Sequence, residues 1–294
     1  MKCSVVITTL GNMYNINKSI ASLESQSIKP HEIIIVCDEN NAEIYIADSV
    51  ISDRIAVLNT KGNMGANHAR NMGIQSAKSE YIFLLDDDDE FLPEKIKKVL
   101  KTIKELPHID VITHQVFARF ETKDIVWPYK IYHPDLKVDE YLFCRTGFRN
   151  GWGLIQTSTL FAKRSLFLEH PFDEDLRKHQ DWAWIINISK KHNKKILMIP
   201  EVLGIWRQYN PSGRISLSKN PASNYSIKWI ESMKNLVSLR AYAGFMYNHV
   251  SWQIRREYNL ITYIRFIFTT IRIYPPNVYE MVNISKNALK GRIR

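Results

Sequence analysis

Apolar residues recur along the first third of this chain in two alternating periods. Ser4-Val5-Val6-Ile7-Thr8-Thr9 is a β-branched run; past the turn residues Leu10-Gly11-Asn12-Met13, the apolar positions Ile16, Ile20 and Leu23 repeat at helical spacing. Lys29-Pro30-His31 stops that helix. Glu32-Ile33-Ile34-Ile35-Val36-Cys37 is then a continuous apolar run of the kind buried on both faces of a parallel sheet, closed by the polar Asp38-Glu39-Asn40-Asn41. A helix over Ala42–Val50, a strand over Ile55–Leu58, a Gly/Asn turn at Lys61-Gly62-Asn63, a helix from Gly65 to Ala77 and a strand over Tyr81–Leu85 complete the series. Strands alternating with helices at this spacing predict a doubly wound, mostly parallel α/β sheet with right-handed crossovers.

Beyond it, Pro93 to Leu106 reads as a helix with a solvated basic face (Lys95, Lys97, Lys98, Lys101, Lys104), and Ile109–Thr113 as another strand. Residues 114–150 lose periodicity and are broken at Trp127-Pro128 and His133-Pro134, which fits irregular hairpin or lid structure. A buried strand over Thr159–Ala162, a helix over Gln180–Lys190 and two short strands flanking Pro200 follow, then a polar segment, Arg207 to Ser216, with the composition of a mobile loop. Ser223–Glu257 predicts one or two helices, and Tyr258–Tyr274 an apolar-aromatic helix interrupted by Arg265 and Arg272. No run approaches the roughly 20 apolar residues of a membrane span, but a basic amphipathic helix can lie in the headgroup plane.

Composition and charge sharpen this outline. With 294 residues and 45% hydrophobic content the chain can bury a full core, which excludes a disordered class. Three cysteines, Cys3, Cys37 and Cys144, in apolar contexts argue against a disulfide framework. The N-terminal Met1-Lys2-Cys3-Ser4-Val5 runs into the first strand without a signal-peptide pattern, so a cytoplasmic location is expected. Residues 1–189 carry 22 basic against 26 acidic side chains, and residues 190–294 carry 18 against 4, so the net charge of +10 divides into −4 and +14. Such a tail seeks anionic surfaces, either nucleic acid or membrane phosphate.

The chemistry concentrates in Leu84-Leu85-Asp86-Asp87-Asp88-Asp89-Glu90. Adjacent carboxylates repel, and such a cluster suits a solvated turn capping the next helix or a divalent cation that takes hard oxygen ligands. Its place after a buried strand favours the second, because ligands of open α/β sheets bind outside the carboxyl ends of the strands. Asp38 emerges at the same edge.

Taken in order, Ser4–Thr9, Ser22-Leu23 with Gln26, Glu32–Asp38, Asn63-Met64-Gly65 with Ala69-Arg70-Asn71, Leu85–Asp89 with Pro93, Phe172-Asp173-Glu174 with Leu176, and Gln180-Asp181-Trp182 resemble the family 2 glycosyltransferases over residues 3–216. The resemblance implies a GT-A fold with a Rossmann-like nucleotide-sugar-binding half over residues 1–113 and an acceptor and catalytic half over 114–216. Residues 217–294 would then form a basic helical extension able to associate with a membrane. It implies metal-dependent, inverting transfer from a nucleotide sugar, a UDP-sugar above others, to a saccharide or lipid-linked saccharide in surface-polysaccharide or lipopolysaccharide synthesis. By the same resemblance Asp88, Asp86 and Asp89 bind Mn²⁺ or Mg²⁺, with Asp87 in the family's variable slot and Asp86 also near the ribose. Thr8, Thr9, Asp38, Asn63 and Arg70 serve the donor, Asp38 on the uracil edge and Arg70 on base or diphosphate. Asp181 is the catalytic base, and Arg207 reaches the diphosphate, with Tyr209 where relatives often carry a His. The partners expected are therefore donor, acceptor and an anionic membrane surface at the inner face of the cell membrane, and no nucleic acid. A nucleotidyltransferase would want a Gly-rich basic phosphate loop after the first strand, and Leu10-Gly11-Asn12-Met13 is a poor one. A non-catalytic anionic-surface-binding module would leave the aspartates at the sheet edge unexplained.

Overall fold

The computed structural model describes residues 1–39, 53–149, 152–208 and 222–289. The helix expected over Ala42–Val50, most of the loop expected from Arg207 to Ser216, and the boundary expected at 216/217 lie outside the described residues. The chain forms two compact units, one of Met1–Trp127 with Ile155–Asn210, the other of Pro128–Leu154 with Pro211–Arg294.

In the first unit β1 (Cys3–Thr9) lies between β2 (Glu32–Cys37) and β4 (Tyr81–Asp86), parallel to both, and β3 (Ile55–Asn59) extends the parallel set beyond β2. The chain steps from β1 through β2 to β3 on one side and then crosses back to β4 on the other side of β1, so the carboxyl ends of β1, β2 and β4 flank a topological switch point. The apolar runs are buried on both faces, as continuous rather than alternating hydrophobicity requires. Val5, Ile7, Ile33, Ile35, Phe83 and Leu85 face α1 (Met13–Glu24) and α3 (Lys95–Glu105) in one core, together with Ile16, Ile20, Ile96 and Val99. The other face meets α2 (Ala66–Ser76) and, beside it, α5 (Arg164–Glu169). Asn12 caps α1 by accepting the Asn15 N–H at 3.2 Å.

Past β4 the sheet turns mixed. The two-residue β5 (Glu90–Phe91), β6 (Val111–Arg119), β7 (Asp124–Trp127), β8 (Phe161–Lys163) and β9 (Ile196–Arg207) bring the sheet to nine strands among the described residues, of which β6 and β9 add a further parallel pair. Three details differ from the sequence expectation, the first being that Ser223–Glu257, expected as one or two helices, holds three helices and a π-helical turn. The residues around Pro200 form one strand, β9, rather than two; its register against β6 jumps from Ile199 opposite His114 to Val202 opposite Gln115, and this irregularity absorbs a proline that has no N–H for the ladder. Lys95, expected on a solvated helical face, is only 1% exposed. Helix α6 (Gln180–Lys190) has the bounds its apolar spacing predicts.

The second unit is helical: α4 (Val138–Phe143), α7 (Ala222–Ser232), α8 (Leu239–Phe245), a π-helical turn at Met246–Val250, α9 (Ser251–Glu257), α10 (Leu260–Ile273) and α11 (Val278–Leu289). Phe143 packs edge-on against Trp229 and Phe245, and the fully buried Glu280 is held by Arg240 at 2.7 Å. Within this unit 128–149, aperiodic in sequence, contributes α4, whose aromatic and acidic residues dock the later helices. No helix among the described residues is long and apolar enough to cross a membrane.

Glycine at position 73 is set by α2 lying close on the sheet. A Cβ there would stand 2.4 Å from Val6 Cγ1 and 3.0 Å from Val36 Cγ2, both stiff, buried side chains. Gly73→Ala is expected to destabilise the protein by about 1–3 kcal/mol through overpacking, despite alanine's better helix propensity, as read by urea denaturation.

Candidate active site

The site is built at the carboxyl ends of β1, β2 and β4. Strand register sets Thr8 opposite Asp86 and Thr9 opposite Cys37, which delivers the acidic turn and Asp38 to one edge. In the turn itself the Asp89 N–H closes on the Asp86 carbonyl at 3.0 Å. Neutral donors and one cation then hold it from within. Thr9 Oγ1 donates to Asp87 Oδ2 at 2.5 Å, and Ser19 Oγ lies 2.7 and 2.9 Å from the Asp87 and Asp89 carbonyls. Ser158 Oγ donates to Asp89 Oδ2 at 2.7 Å and receives the Asp86 N–H at 3.0 Å, while the Arg207 N–H donates to Asp89 Oδ1 at 3.1 Å. Below them Lys95 Nζ donates to the Ser158 carbonyl at 2.6 Å and sits 3.3 Å over the Phe91 ring.

Burial explains the charges of this cluster. It drives Asp89 well above the usual carboxylate range, with the Asp88 and Asp86 charges adding to the rise. It drives the Lys95 ammonium well below the usual lysine value, and the buried His114 likewise. Asp87 is pushed up to about 7, first by burial and then by Asp88 and Asp86, against its bond from Thr9. Asp86, Asp87 and Asp88 are all half-buried, Asp86 with 35% of its side chain accessible, and Asp89 is the fully buried member.

A second set of contacts ties this turn to Asp181. Arg70, on α2 and almost fully buried, donates to Asp86 Oδ1 at 3.2 Å and Asn67 Oδ1 at 2.7 Å, and its guanidinium lies 4.9 Å from the Phe172 ring centre. Asn67 Nδ2 donates to the Asp173 and Leu176 carbonyls at 2.6 and 3.0 Å, and Asn71 exchanges backbone bonds with Phe172 at 2.8 and 3.0 Å. Helix α2 thereby clamps the 172–176 segment that leads into α6. There His179, in the left-handed region at φ 66° and stacked on Trp182, starts the helix and sets Asp181 in its first turn. Asp181 Oδ1 accepts the Trp182 N–H at 2.9 Å. Removal from water pushes the Asp181 carboxyl up to about 6; the Asp86 charge adds to the rise, while the Trp182 N–H and Arg70 oppose it.

The remaining expected residues serve the scaffold visibly. Asp38 accepts Thr60 Oγ1 and the Met64 N–H (2.9 Å) on one oxygen and the Gly65 N–H (2.7 Å) on the other, folding the 60–65 turn in which Gly65 takes φ 96°. Asn63, at φ 57° and exposed, donates its N–H to the Asp38 carbonyl at 3.2 Å. Arg207 pairs through its guanidinium with Glu90. Tyr209 lies outside the described residues.

Ser19, Ser158 and Lys95, which support the acidic turn, and Asn67 and His179, which with Asn71 orient the approach to Asp181, were not assigned to the site from sequence patterns. Asn71 stands in the Ala69-Arg70-Asn71 piece of the family resemblance, and the signal for Asn67 was its nearness to that piece. As to a divalent cation, no three His, Cys, Asp or Glu residues among the described residues form a ready-made ligand group. The partly exposed Asp86 and Asp88 carboxylates nonetheless offer hard oxygen donors that fit one, whereas both Asp89 oxygens already accept internal bonds.

Comparison with known proteins agrees with this layout. The profile of Glycosyl transferase family 2 matches residues 4–174. The chain is 27% identical over 291 residues to the amylovoran biosynthesis glycosyltransferase AmsB of Erwinia amylovora, covering 91% of this chain and 90% of that protein. Among solved structures it is similar to S. aureus TarS 1–349 in complex with UDP-GlcNAc, at TM-score 0.67 and 16% identity over 98% of this chain and 89% of that one. The mannosyltransferase PcManGT of Pyrobaculum calidifontis, in complex with GDP-Man and Mn²⁺, aligns at TM-score 0.55 and 12% identity over 98% and 79%. The expected α/β sheet with a helical C-terminal region is thus a GT-A fold, and the chain belongs to glycosyltransferase family 2.

Proposed function

We propose that this glycosyltransferase moves a sugar from a nucleoside diphosphate donor, a UDP-sugar, to a saccharide acceptor with inversion, and that its partner pathway is surface-polysaccharide synthesis at the cytoplasmic membrane face. The observation that carries the reading is that α2 ties both carboxylates to one scaffold: Arg70 donates to Asp86 on the strand-end turn, and Asn67 and Asn71 bond the segment leading into the helix start that bears Asp181. The UDP-sugar on TarS, the Mn²⁺ on PcManGT and the amylovoran assignment of AmsB support donor, cation and product class in turn.

In this reading Asp86 and Asp88 would hold Mg²⁺ or Mn²⁺, and the bound ion would supply Lewis-acid stabilisation of negative charge on the diphosphate. Asp89 braces their turn. Thr8, Thr9, Asp38, Asn63 and Arg70 form the nucleotide side, with Asp38 keeping acceptor capacity on Oδ2 beyond its Gly65 bond. Asp181 takes the proton from the acceptor hydroxyl as its oxygen bonds to the anomeric carbon. The bond from that carbon to the diphosphate oxygen breaks on the opposite side, and the nucleoside diphosphate leaves. A carboxyl at about 6 is ionised at neutral pH and still basic enough for this transfer.

Asp181→Asn is expected to lower kcat by about 10²–10⁴ with UDP binding retained, and the wild-type rate to fall on an acid limb near pH 6; substantial transfer by the variant would remove Asp181 as the base. Stability gives a separate check. Because folding raises this carboxyl from 3.8, its contribution is favourable at low pH and is lost as pH rises through about 6. Asp181→Asn should therefore be about 1–2 kcal/mol more stable than wild type at pH 7.5, with the gap closing toward pH 4 in denaturation curves. Asp88→Ala should abolish both transfer and the effect of divalent ions on UDP affinity, while Asp87→Asn, which keeps an oxygen for Thr9, should retain most activity. Equal losses in a nucleotide-release assay would show that the two aspartates have been assigned in the wrong register.

A further inference from the structure

Helix α10 has a well-anchored face and a bare one. Tyr263, Ile267 and Thr270 are buried within the helical unit, and Tyr263 Oη donates to the Ile284 carbonyl of α11 at 2.7 Å. On the outer side Ile261, Ile264, Phe268 and Ile271 are 63%, 43%, 64% and 38% exposed. Their spacing of three and four residues places them in one stripe along the helix. Leu260, the first residue of α10, and Tyr274, just past its last, are exposed too. Arg265 and Arg272 stand four residues after Ile261 and Phe268, on the stripe's margin; both are exposed, and neither pairs with a carboxylate among the described residues.

A contiguous exposed apolar stripe on a folded helix marks a docking surface. Its fourteen residues span about 21 Å, too short for a bilayer core of roughly 30 Å, so a membrane partner would be met in the interface plane and not across it. Charge complementarity selects the occupant. Residues 211–294, the later segment of this helical unit, hold 13 basic against 3 acidic side chains, so pairing with a second copy would oppose like charges. Anionic phospholipid would instead receive the apolar stripe among its acyl chains and the arginines among its phosphates, with the arginine stems along the boundary.

We propose that the outer face of α10 is the docking surface by which this protein binds an anionic lipid bilayer, with Ile261, Ile264, Phe268 and Ile271 inserted and Arg265 and Arg272 at the headgroups. This deepens the reading that transfer takes place at the membrane face, yet it stands on the helix face alone. The test is flotation of the full chain with vesicles of phosphatidylglycerol and phosphatidylcholine, and with phosphatidylcholine alone, across a salt series. Wild type should float with the anionic vesicles only and dissociate as salt rises. Ile264→Ser/Phe268→Ser should bind at least tenfold more weakly at an unchanged melting temperature, and Arg265→Gln/Arg272→Gln should lose most of the salt-sensitive binding. The proposal is overturned if wild type does not float at low salt, if the serine variant floats as wild type does, or if wild type is a dimer that the serine variant dissociates without any vesicle binding. UDP affinity measured in parallel separates the two readings: vesicle binding without UDP binding would count against the donor assignment and leave the docking face standing.

Discussion

Four consecutive carboxylates at the end of a buried strand pose an electrostatic problem, and the rest of the catalytic unit depends on how it is resolved. The key contact is Ser158 Oγ, which donates to Asp89 Oδ2 and accepts the Asp86 N–H, so that one hydroxyl fixes both ends of the acidic turn. Thr9 does the same for Asp87 from β1, and Ser19 ties down two of the turn's carbonyls from α1. Every one of these partners is neutral, and hydrogen bonds alone would not offset the desolvation of Asp89. The cation that responds to Asp89 is Lys95, buried one layer below against the Ser158 carbonyl and the Phe91 ring. The turn is thereby graded: Asp89 is fully buried with both oxygens bonded, Asp87 is tied to Thr9 and Asp86 to Arg70, and Asp86, Asp87 and Asp88 are all half-buried.

The same economy of partners connects the turn to the helix that carries Asp181. Arg70 is large, almost fully buried and charged, so it needs acceptors on every side it can reach. It finds Asp86 on β4 and Asn67 on its own helix, and it lies against Phe172 of the segment before α6. Asn67 and Asn71 add backbone bonds to that segment. A displacement of α2 would disturb the acidic turn and the approach to Asp181 together. The tight contact of Gly73 with Val6 and Val36, which seats α2 on the sheet, thus has a consequence for the chemistry as well as for stability.

The helical unit solves a different problem. Its basic residues are many and its acidic ones few, and its two fully buried acids among the described residues are spent internally, Asp139 on the Ser238 N–H and Glu280 on Arg240 and the start of α11. What remains outward on α10 is a surface of isoleucine, phenylalanine and arginine, a composition that water solvates poorly along the stripe and well at its margin.

By itself the sequence determined the local elements and the edge at which the chemistry gathers. Continuous β-branched runs can only be strands buried on both faces, and the strand ends carry Thr9, Asp38 and Asp86 wherever the sheet is laid down in sequence order. The left-handed His179, the buried Lys95 and the single strand through Pro200 were not legible, because each is decided by partners distant in the chain. Asp89 meets Ser158 across 69 residues and the Arg207 N–H across 118, and Lys95 meets Ser158 across 63. A helical lysine among four others carries no mark that it will be the one desolvated. Which aspartate is fully buried and which stay half-buried was therefore a decision of the tertiary structure, made by the hydroxyls and N–H groups that packing brought around them.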